Sequence, residues 1–199
     1  MNPADKVAVV TGAASGLGLA TVRALATAGS RIAAFDVNQE RLGALNEELG
    51  EGCLGLVVDV TDEQAISAAL SKVVDRFGSI DIAVNCAGVE GAAKTVSKGK
   101  AFPLDIWNKV IGVNLTGSFN VIRLAALHMA KNTPEGTAEE RGVIINTASG
   151  AATQGQIGQA AYSASKAGLI GLTLPVARDL APLGIRVVTI SPGVFATPM

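Results

Sequence analysis

The sequence predicts a doubly wound α/β fold, in which helices cover both faces of a parallel β-sheet. Six short apolar runs alternate with segments of helical periodicity along the 199 residues. Alternation of this kind predicts parallel strands that are joined by right-handed crossover helices. The length suits one domain with a sizeable core, and 49% of the residues are hydrophobic. We therefore predict a single domain over residues 1–199, with a ligand cleft at the carboxyl ends of its strands.

The six predicted strands are nearly continuous apolar runs, which is typical of strands that are buried on both faces of a sheet. In chain order they cover residues 6–11, 31–36, 52–59, 80–85, 142–147 and 185–190. Two stretches, 91–100 and 132–141, are too polar or too rich in glycine for the core, and we expect surface loops there. The first of them leaves the carboxyl end of the fourth strand, so it is also a candidate wall of a substrate site.

The clearest predicted helix follows the third strand. Thr61 and Gln64 have the spacing of a capping box, which predicts the start of the helix. Apolar side chains then recur on one face as far as Phe77, and Gly78 is a typical helix end. A later helical pattern contains Pro175, which is expected to remove a backbone hydrogen bond or to kink that helix.

Composition excludes several function classes. The 16 Lys and Arg residues are balanced by 17 Asp and Glu residues, which removes the electrostatic case for a protein that binds a nucleic-acid backbone. The single histidine, His128, makes a histidine-rich metal site or a Ser-His-Asp triad a poor expectation, and we predict no bound metal. No apolar run approaches the length of a membrane span. Two cysteines form no disulfide framework and a strand pattern begins at Lys6, so a cytoplasmic location is expected.

A glycine-rich turn follows the first predicted strand. It reads Thr11-Gly12-Ala13-Ala14-Ser15-Gly16-Leu17-Gly18 and opens into a helical pattern. Glycines let the backbone approach a pyrophosphate closely, and the helix N-terminus supplies N–H groups for the anion. The spacing alone is a weak signal in a chain with 23 glycines. Its position between the first strand and the first helix is the context that a dinucleotide-binding motif requires, so we predict a dinucleotide cofactor.

Asp36 closes the second predicted strand, 18 residues beyond Gly18. A carboxylate near this spacing accepts hydrogen bonds from the adenosine ribose and repels a 2′-phosphate. Its neighbours Val37 and Asn38 offer no positive charge for that phosphate. The alternative is that Asp36 only caps the next helix. We predict NAD rather than NADP.

The chemical residues are predicted on a later helix. Tyr162, the only tyrosine, stands four residues before Lys166, and residues at this spacing share one helix face. A phenol is a poor base at neutral pH, and a neighbouring ammonium is expected to lower its pKa. Ser149 follows the fifth strand, where its hydroxyl is placed to donate to a substrate oxygen. The alternatives are an ordinary surface Tyr-Lys pair and a serine that only forms a turn.

These residues together resemble the classical short-chain dehydrogenase/reductase family. The likeness spans essentially the whole chain and differs at Cys86, where the family often has alanine or asparagine. Stretches 142–149, 158–166 and 174–182 and loop 91–102 also resemble its type 2 3-hydroxyacyl-CoA dehydrogenase branch. The motifs that carry the family resemblance are Thr11-Gly12-x3-Gly16-x-Gly18, Asp59-Val60, Asn85-Cys86-Ala87-Gly88, Asn114, Ser149, Tyr162-x3-Lys166 and Pro192-Gly193-x3-Thr197.

The resemblance implies a Rossmann fold and a role for each matching residue. In catalysis it implies Tyr162 as acid/base, Lys166 as ribose ligand that lowers the phenol pKa, Ser149 as substrate-orienting group and Asn114 as anchor of a proton-relay water. Gly112 and Gly117 are expected to loosen the helix around Asn114. The implied NAD-binding residues are Gly12, Ser15, Gly16, Leu17, Gly18, Asp36, Asp59, Val60, Asn85, Ala87, Gly88, Tyr162, Lys166, Pro192, Gly193, Val194 and Thr197.

The implied activity is hydride transfer between NAD and a secondary alcohol or ketone. The narrower likeness implies oxidation of 3-hydroxyacyl-CoA to 3-oxoacyl-CoA in fatty-acid metabolism. The alternatives are a steroid or other secondary-alcohol dehydrogenase and a non-catalytic NAD-binding scaffold. The family also implies a homotetramer. Because relatives of this branch occur in mitochondria, the mitochondrion is the alternative location. Chains of the family continue past the Thr197 position with a covering loop, a helix and a seventh strand, so a domain without that C-terminal helix and last strand is expected here.

Overall fold

The computed structural model describes residues 1–195 and contains one six-stranded parallel sheet and one small hairpin. The strands are β1 (Val7–Thr11), β2 (Arg31–Asp36), β3 (Cys53–Val57), β4 (Ile82–Asn85), β5 (Val96–Ser97), β6 (Lys100–Ala101), β7 (Gly142–Thr147) and β8 (Ile185–Ile190). The main sheet has the order β3-β2-β1-β4-β7-β8. The predicted doubly wound parallel sheet is confirmed.

The strand order reverses between β1 and β4, and this reversal determines where a ligand binds. Chain connections turn to opposite sides at such a point and leave a crevice beyond the carboxyl ends of the strands. Thr11 pairs with Asn85 in the β1–β4 register, so the two strands end side by side. The glycine-rich turn after β1 therefore meets the loop after β4.

Helices cover both faces of the sheet. They are α1 (Gly16–Thr27), α2 (Gln39–Leu49), α3 (Glu63–Phe77), α4 (Leu104–Ile111), α5 (Ser118–Met129), α6 (Ala151–Gln154) and α7 (Ala160–Leu180). One core cluster packs α3 and α5 against side chains such as Phe35 and Ile144. A second cluster packs α1 and α2 against Ile32 and Val84 on the opposite face.

The predicted start of α3 is wrong in its detail. Asp62, and not Thr61, is the N-cap, since its Oδ1 accepts hydrogen bonds from the backbone N–H groups of Gln64 (2.9 Å) and Ala65 (3.0 Å). The Thr61 hydroxyl instead donates to Oδ1 of Asp59 over 2.8 Å. This turn also explains why β3 ends at Val57, two residues before its predicted end. The predicted helix end is confirmed, with Gly78 in the left-handed region at φ +90°.

A π-helical turn over Gly112–Gly117 joins α4 to α5, as the two glycines predicted. A Cβ on Gly117 would lie 2.5 Å from Cγ2 of Val60, so only glycine permits this close approach to the loop after β3. The complete helical run, Leu104–Met129, is long and apolar enough to cross a membrane by length and composition. In this fold its side chains at Val121 and Met129 are fully buried in the core.

The remaining predictions concern loops and one proline. Residues 91–100 contain the exposed strand β5 and the start of its partner β6, and residues 132–141 form an irregular loop with a bridge between Glu135 and Glu140. Helix α7 continues through Pro175 without interruption. Pro175 has no backbone N–H, so the carbonyl of Gly171 has no donor within the helix. Both residues are exposed, so water can donate to that carbonyl.

Candidate active site

A cavity of about 780 Å³ lies at the carboxyl ends of the strands and collects most of the predicted site residues. Asn85 and Asn114 do not line it; both are buried behind its wall. Thr197 lies outside the described residues. The predicted residues that line the cavity are Gly12, Ser15, Gly16, Leu17, Gly18, Asp36, Asp59, Val60, Ala87, Gly88, Ser149, Tyr162, Lys166, Pro192, Gly193 and Val194.

The glycine-rich turn has no room for side chains at two positions. Gly12 adopts φ +62°, and a Cβ there would lie 2.9 Å from the backbone N and Cα of Ala87. A Cβ on Gly18 would overlap the carbonyl oxygen of Gly12. Ser15 is the N-cap of α1, yet its hydroxyl makes no capping hydrogen bond. The first turn of α1 therefore presents backbone N–H groups to the cavity, which is the arrangement that binds an anion.

Asp36 braces this turn from β2. Its Oδ2 accepts a hydrogen bond from the backbone N–H of Ala14 (2.9 Å), and its Oδ1 accepts one from Asn38 (3.0 Å). Asn38, and not Asp36, caps α2, because its side chain accepts from the backbone N–H of Arg41. The alternative interpretation of Asp36 as the helix cap is therefore wrong. Its carboxylate stands at the cavity wall, where an adenosine ribose hydroxyl can reach it.

A row of polar side chains crosses the sheet beneath the cavity. Nδ2 of Asn85 in β4 donates to Oδ1 of Asn146 in β7 over 2.9 Å. Asn146 in turn donates to the hydroxyl of Thr189 in β8 (3.4 Å), which lies 2.5 Å from the hydroxyl of Thr173 in α7. Asn85 is 2% exposed and its Oδ1 has no partner within residues 1–195. The side chain of Asn85 thus supports the sheet under the cleft and does not reach into it.

Helix α7 and the end of β7 bring the predicted chemical residues together. Nζ of Lys166 lies 5.7 Å from the centroid of the Tyr162 ring and donates to the backbone carbonyl of Thr147 over 2.7 Å. Ser149 and Tyr162 line the same cavity, and the Ser149 hydroxyl lowers the pKa of the Tyr162 phenol. The same oxygen accepts a hydrogen bond from the N–H of Ala151, so Ser149 is also the turn residue that its alternative interpretation described.

The lowering of the phenol pKa by Lys166 stays a prediction, because the protein's own groups shift this pKa mainly through burial. Burial raises the pKa of Tyr162 above its ordinary value; Ser149 lowers this pKa, and the charge of Glu90 raises it further. Burial also lowers the pKa of Lys166 to about 8, against a smaller effect of Cys86. The spacing in the sequence places the ammonium beside the ring, while desolvation is the largest cause of the pKa shift of each group.

Asn114 connects the loop after β4 to the helix that carries Tyr162. Its Oδ1 accepts from the N–H of Val89 (2.8 Å), and its Nδ2 donates to the carbonyl of Val89 (3.0 Å) and to Oγ of Ser165 (3.1 Å). Ser165 then donates to the backbone carbonyl of Tyr162 over 2.7 Å. This geometry gives Asn114 a positioning function, while its role in a proton relay stays a prediction.

Several residues of the site were not predicted. The Thr147 carbonyl, which binds Lys166, is a backbone group and has no sequence signal. Thr11 is part of the glycine motif, but its hydroxyl has an unpredicted function: it accepts hydrogen bonds from the N–H groups of Cys86 (3.2 Å) and Ala87 (3.1 Å) and so fixes the loop after β4. Further lining residues that the motifs did not reveal are Val37, Val58, Val89, Glu90, Lys109, Val113, Gln154, Gln156 and Gln159.

Comparison with known proteins gives one consistent result. The family model described as short chain dehydrogenase matches residues 6–199. The 3-hydroxyacyl-CoA dehydrogenase type-2 of Homo sapiens is 51% identical over 195 residues, which are 97% of this chain and 74% of that protein.

Solved structures agree with the sequence comparisons. The crystal structure of 3-hydroxyacyl-CoA dehydrogenase type-2 from Mycobacterium avium has a TM-score of 0.94 and 39% identity, and the match covers 100% of this chain and 78% of that one. NAD⁺-bound xylitol dehydrogenase has a TM-score of 0.86 and 38% identity, with coverage of 97% and 72%.

Proposed function

The chain belongs to the short-chain dehydrogenase family, and from that premise we propose that it oxidises 3-hydroxyacyl-CoA thioesters to 3-oxoacyl-CoA with NAD. It is an oxidoreductase of CH–OH groups that uses a nicotinamide cofactor. The thioester substrate rests on the likeness to the type-2 enzymes, whose relative from Homo sapiens is 51% identical. The observation that carries the proposal is the meeting of Tyr162, Ser149 and Lys166 in the cleft that the glycine-rich turn also lines.

The residues at the cleft fit a dinucleotide. Gly12 and Gly18 let the turn pack closely against the backbone of Ala87 and of Gly12 itself, and the start of α1 offers N–H groups to a pyrophosphate. We assign Asp36 to the adenosine ribose, Asp59 and Val60 to the adenine, and Lys166 to the nicotinamide ribose. The loop residues Pro192, Gly193 and Val194, together with Thr197, are assigned to the carboxamide. The bound nicotinamide supplies the hydride acceptor or donor.

The protein supplies the proton and the position of the substrate. The Tyr162 hydroxyl exchanges a proton with the substrate oxygen, and Ser149 holds that oxygen by a hydrogen bond. Since burial raises the pKa of Tyr162, the phenol is a proton donor at neutral pH. Ketone reduction uses this protonated form, whereas alcohol oxidation needs the phenolate and is favoured as the pH rises.

We expect the purified protein to consume NADH when acetoacetyl-CoA is added, and NADH absorbance measures the rate. A panel of steroids and simple secondary alcohols in the presence of NAD distinguishes the thioester from the alternative substrates. Turnover of a steroid or simple alcohol at a much higher kcat/KM than that of the thioester would contradict the proposed substrate. Cofactor binding without turnover of any member of the panel would favour the scaffold alternative.

The choice of NAD over NADP is attributed to Asp36. We expect the Kd for NAD to be at least about tenfold lower than that for NADP, because a carboxylate beside the ribose repels a 2′-phosphate. Asp36→Asn removes that charge and is expected to reduce the preference, while Glu40→Gln on the exposed start of α2 leaves it unchanged. Fluorescence titration gives both constants. Tighter binding of NADP to the unmodified protein would refute the assignment.

We also propose a homotetramer. Exposed apolar side chains on α5 and α7 support it, since such residues are typical of subunit contacts. Phe119 and Leu127 belong to α5, and Ile170 and Leu174 to α7; their exposed fractions range from 43% to 63%. The cytoplasm, with mitochondria as the alternative, remains the proposed location.

A further inference from the structure

The loop after β4 is anchored on both sides of a single acidic residue. Before Glu90, both backbone groups of Val89 are bound by the side chain of Asn114, over 2.8 and 3.0 Å. After Glu90, the N–H of Ala93 donates to the carbonyl of Gly158 over 3.0 Å, four residues before Tyr162. The position of Glu90 is therefore fixed relative to the helix that carries the reacting phenol.

Packing fixes the same loop against α4. A Cβ on Gly91 would lie 2.6 Å from Cγ2 of Ile106 and 2.7 Å from Cγ2 of Val110, so the backbone lies directly on these side chains. Glu90 itself is exposed and lines the cavity. It forms no ion pair and no side-chain hydrogen bond with any of residues 1–195. Its carboxylate is thus free to act on whatever enters the cleft.

The described residues that line the cavity form no ion pair with Glu90. Those residues include two lysines. Lys166 is 5% exposed and donates to the Thr147 carbonyl. Lys109 belongs to α4, the helix whose Ile106 and Val110 pack against Gly91, and it forms no ion pair within residues 1–195.

The other carboxylates of the cleft lie on the far side from Tyr162. Asp36 is the last residue of β2 and Asp59 follows β3, and both strands lie on the glycine-turn side of the strand-order reversal. The charge of Glu90, in contrast, raises the pKa of the Tyr162 phenol, which indicates that it acts at the reacting end. A substrate group next to the reacting carbon therefore meets a negative charge there.

We propose that Glu90 is a specificity residue, which admits ketones and alcohols that are uncharged next to the reacting carbon and rejects those with a carboxylate there. The inference rests on the proposed function, since Tyr162 marks the reacting end. A thioester is neutral at this position, and the phosphates of its CoA moiety lie far along the chain. A free 3-oxo or 3-hydroxy acid places its carboxylate two bonds from the reacting carbon and meets direct repulsion.

The test uses one ketone in a neutral and a charged form. We measure kcat/KM for methyl acetoacetate and for acetoacetate with NADH in the unmodified protein and in Glu90→Gln. Like charges about 8 Å apart change an equilibrium by about tenfold at an effective dielectric constant of ~30. We therefore expect the ester-to-acid ratio to fall about tenfold in Glu90→Gln. Glu90→Asp, which keeps the charge, and Glu47→Gln, on the exposed face of α2, are expected to change the ratio less than threefold.

The ratio isolates the charge effect from other roles of the residue. A shift in the phenol pKa or a loosened loop alters both substrates alike and cancels in the ratio. Salt screens charge repulsion, so the ratio of the unmodified protein is expected to fall as ionic strength rises, and that of Glu90→Gln to stay flat. An unchanged ratio in Glu90→Gln, or an equal fall in Glu47→Gln, overturns the proposal.

The outcome is independent of the identity of the physiological substrate. Reduction of methyl acetoacetate without reduction of acetoacetyl-CoA contradicts the proposed thioester substrate but still measures the effect of Glu90. If neither ketone is turned over, titration of both against the NADH complex by fluorescence gives the same ratio as a ratio of Kd values. Equal affinities for the ester and the acid in the unmodified protein then overturn the inference.

Discussion

Tyr162→Phe is expected to lower turnover by about a thousandfold or more while the Kd for NAD stays within a few-fold. Phenylalanine keeps the ring that lies beneath the Lys166 ammonium but lacks the hydroxyl that exchanges the proton. General acid–base catalysis contributes about 10²- to 10⁴-fold, and this site offers no second group of comparable placement among the described residues. NADH absorbance in the presence of acetoacetyl-CoA measures the rate, and fluorescence titration measures cofactor affinity.

The control for this variant is optical. Tyr162 is the only tyrosine, so the phenolate absorbance of the unmodified protein reports the titration of this one group. The structure leads us to expect a midpoint above the ordinary value for tyrosine, because burial opposes the charged form. The signal must be absent from Tyr162→Phe. Near-normal turnover in that variant would remove Tyr162 from the mechanism.

Gly18→Ala is expected to abolish cofactor binding and to lower the free energy of unfolding by more than about 3 kcal/mol. The new Cβ overlaps the Gly12 carbonyl oxygen, and its second neighbour, the Gly12 carbonyl carbon, is only 2.7 Å away. Backbone atoms cannot move aside as a flexible side chain would, so the cost of overpacking here is expected to exceed the usual range of about 1–3 kcal/mol. Urea unfolding and NAD titration measure the two effects.

Gly171→Ala in α7 is the matched control. An added Cβ there meets nothing within 4 Å, and the residue lies inside a helix. Alanine is favoured over glycine in a helix interior by up to about 1 kcal/mol, so this variant is expected to be neutral or slightly more stable. Unchanged stability and NAD affinity in Gly18→Ala would contradict the account of the glycine-rich turn.

The sheet could be predicted from the sequence because its strands are buried on both faces. Runs of this kind are visible as continuous apolar segments, and both ends of all six strands were predicted to within two residues. The first residue of α3 was harder to predict from the sequence, since Thr61 and Asp62 are adjacent and both are good capping residues. The hydrogen bond that Thr61 makes to Asp59 decides between them, and spacing alone does not reveal it.

The site residues could be predicted where a sequence motif itself determines the backbone conformation, as at Gly12 and Gly18. The protonation of Tyr162 was not, because it depends on how deeply the folded chain buries the phenol. Glu90 was also missed: it belongs to no motif, and only the anchored loop after β4 brings it to the cleft. Contacts between distant segments therefore carry the part of the site that a linear pattern omits.

The polar row through Asn85, Asn146, Thr189 and Thr173 makes single substitutions beneath the cleft more destabilising than combined ones. An apolar residue at Asn146 alone would leave the buried Asn85 amide donor without a partner, which costs about 1–3 kcal/mol, while the half-buried Thr189 hydroxyl would keep Thr173 as its partner. Replacing the members together would cost far less, since no orphan would remain. In homologous chains these four positions are therefore expected to covary, changing as a group rather than singly.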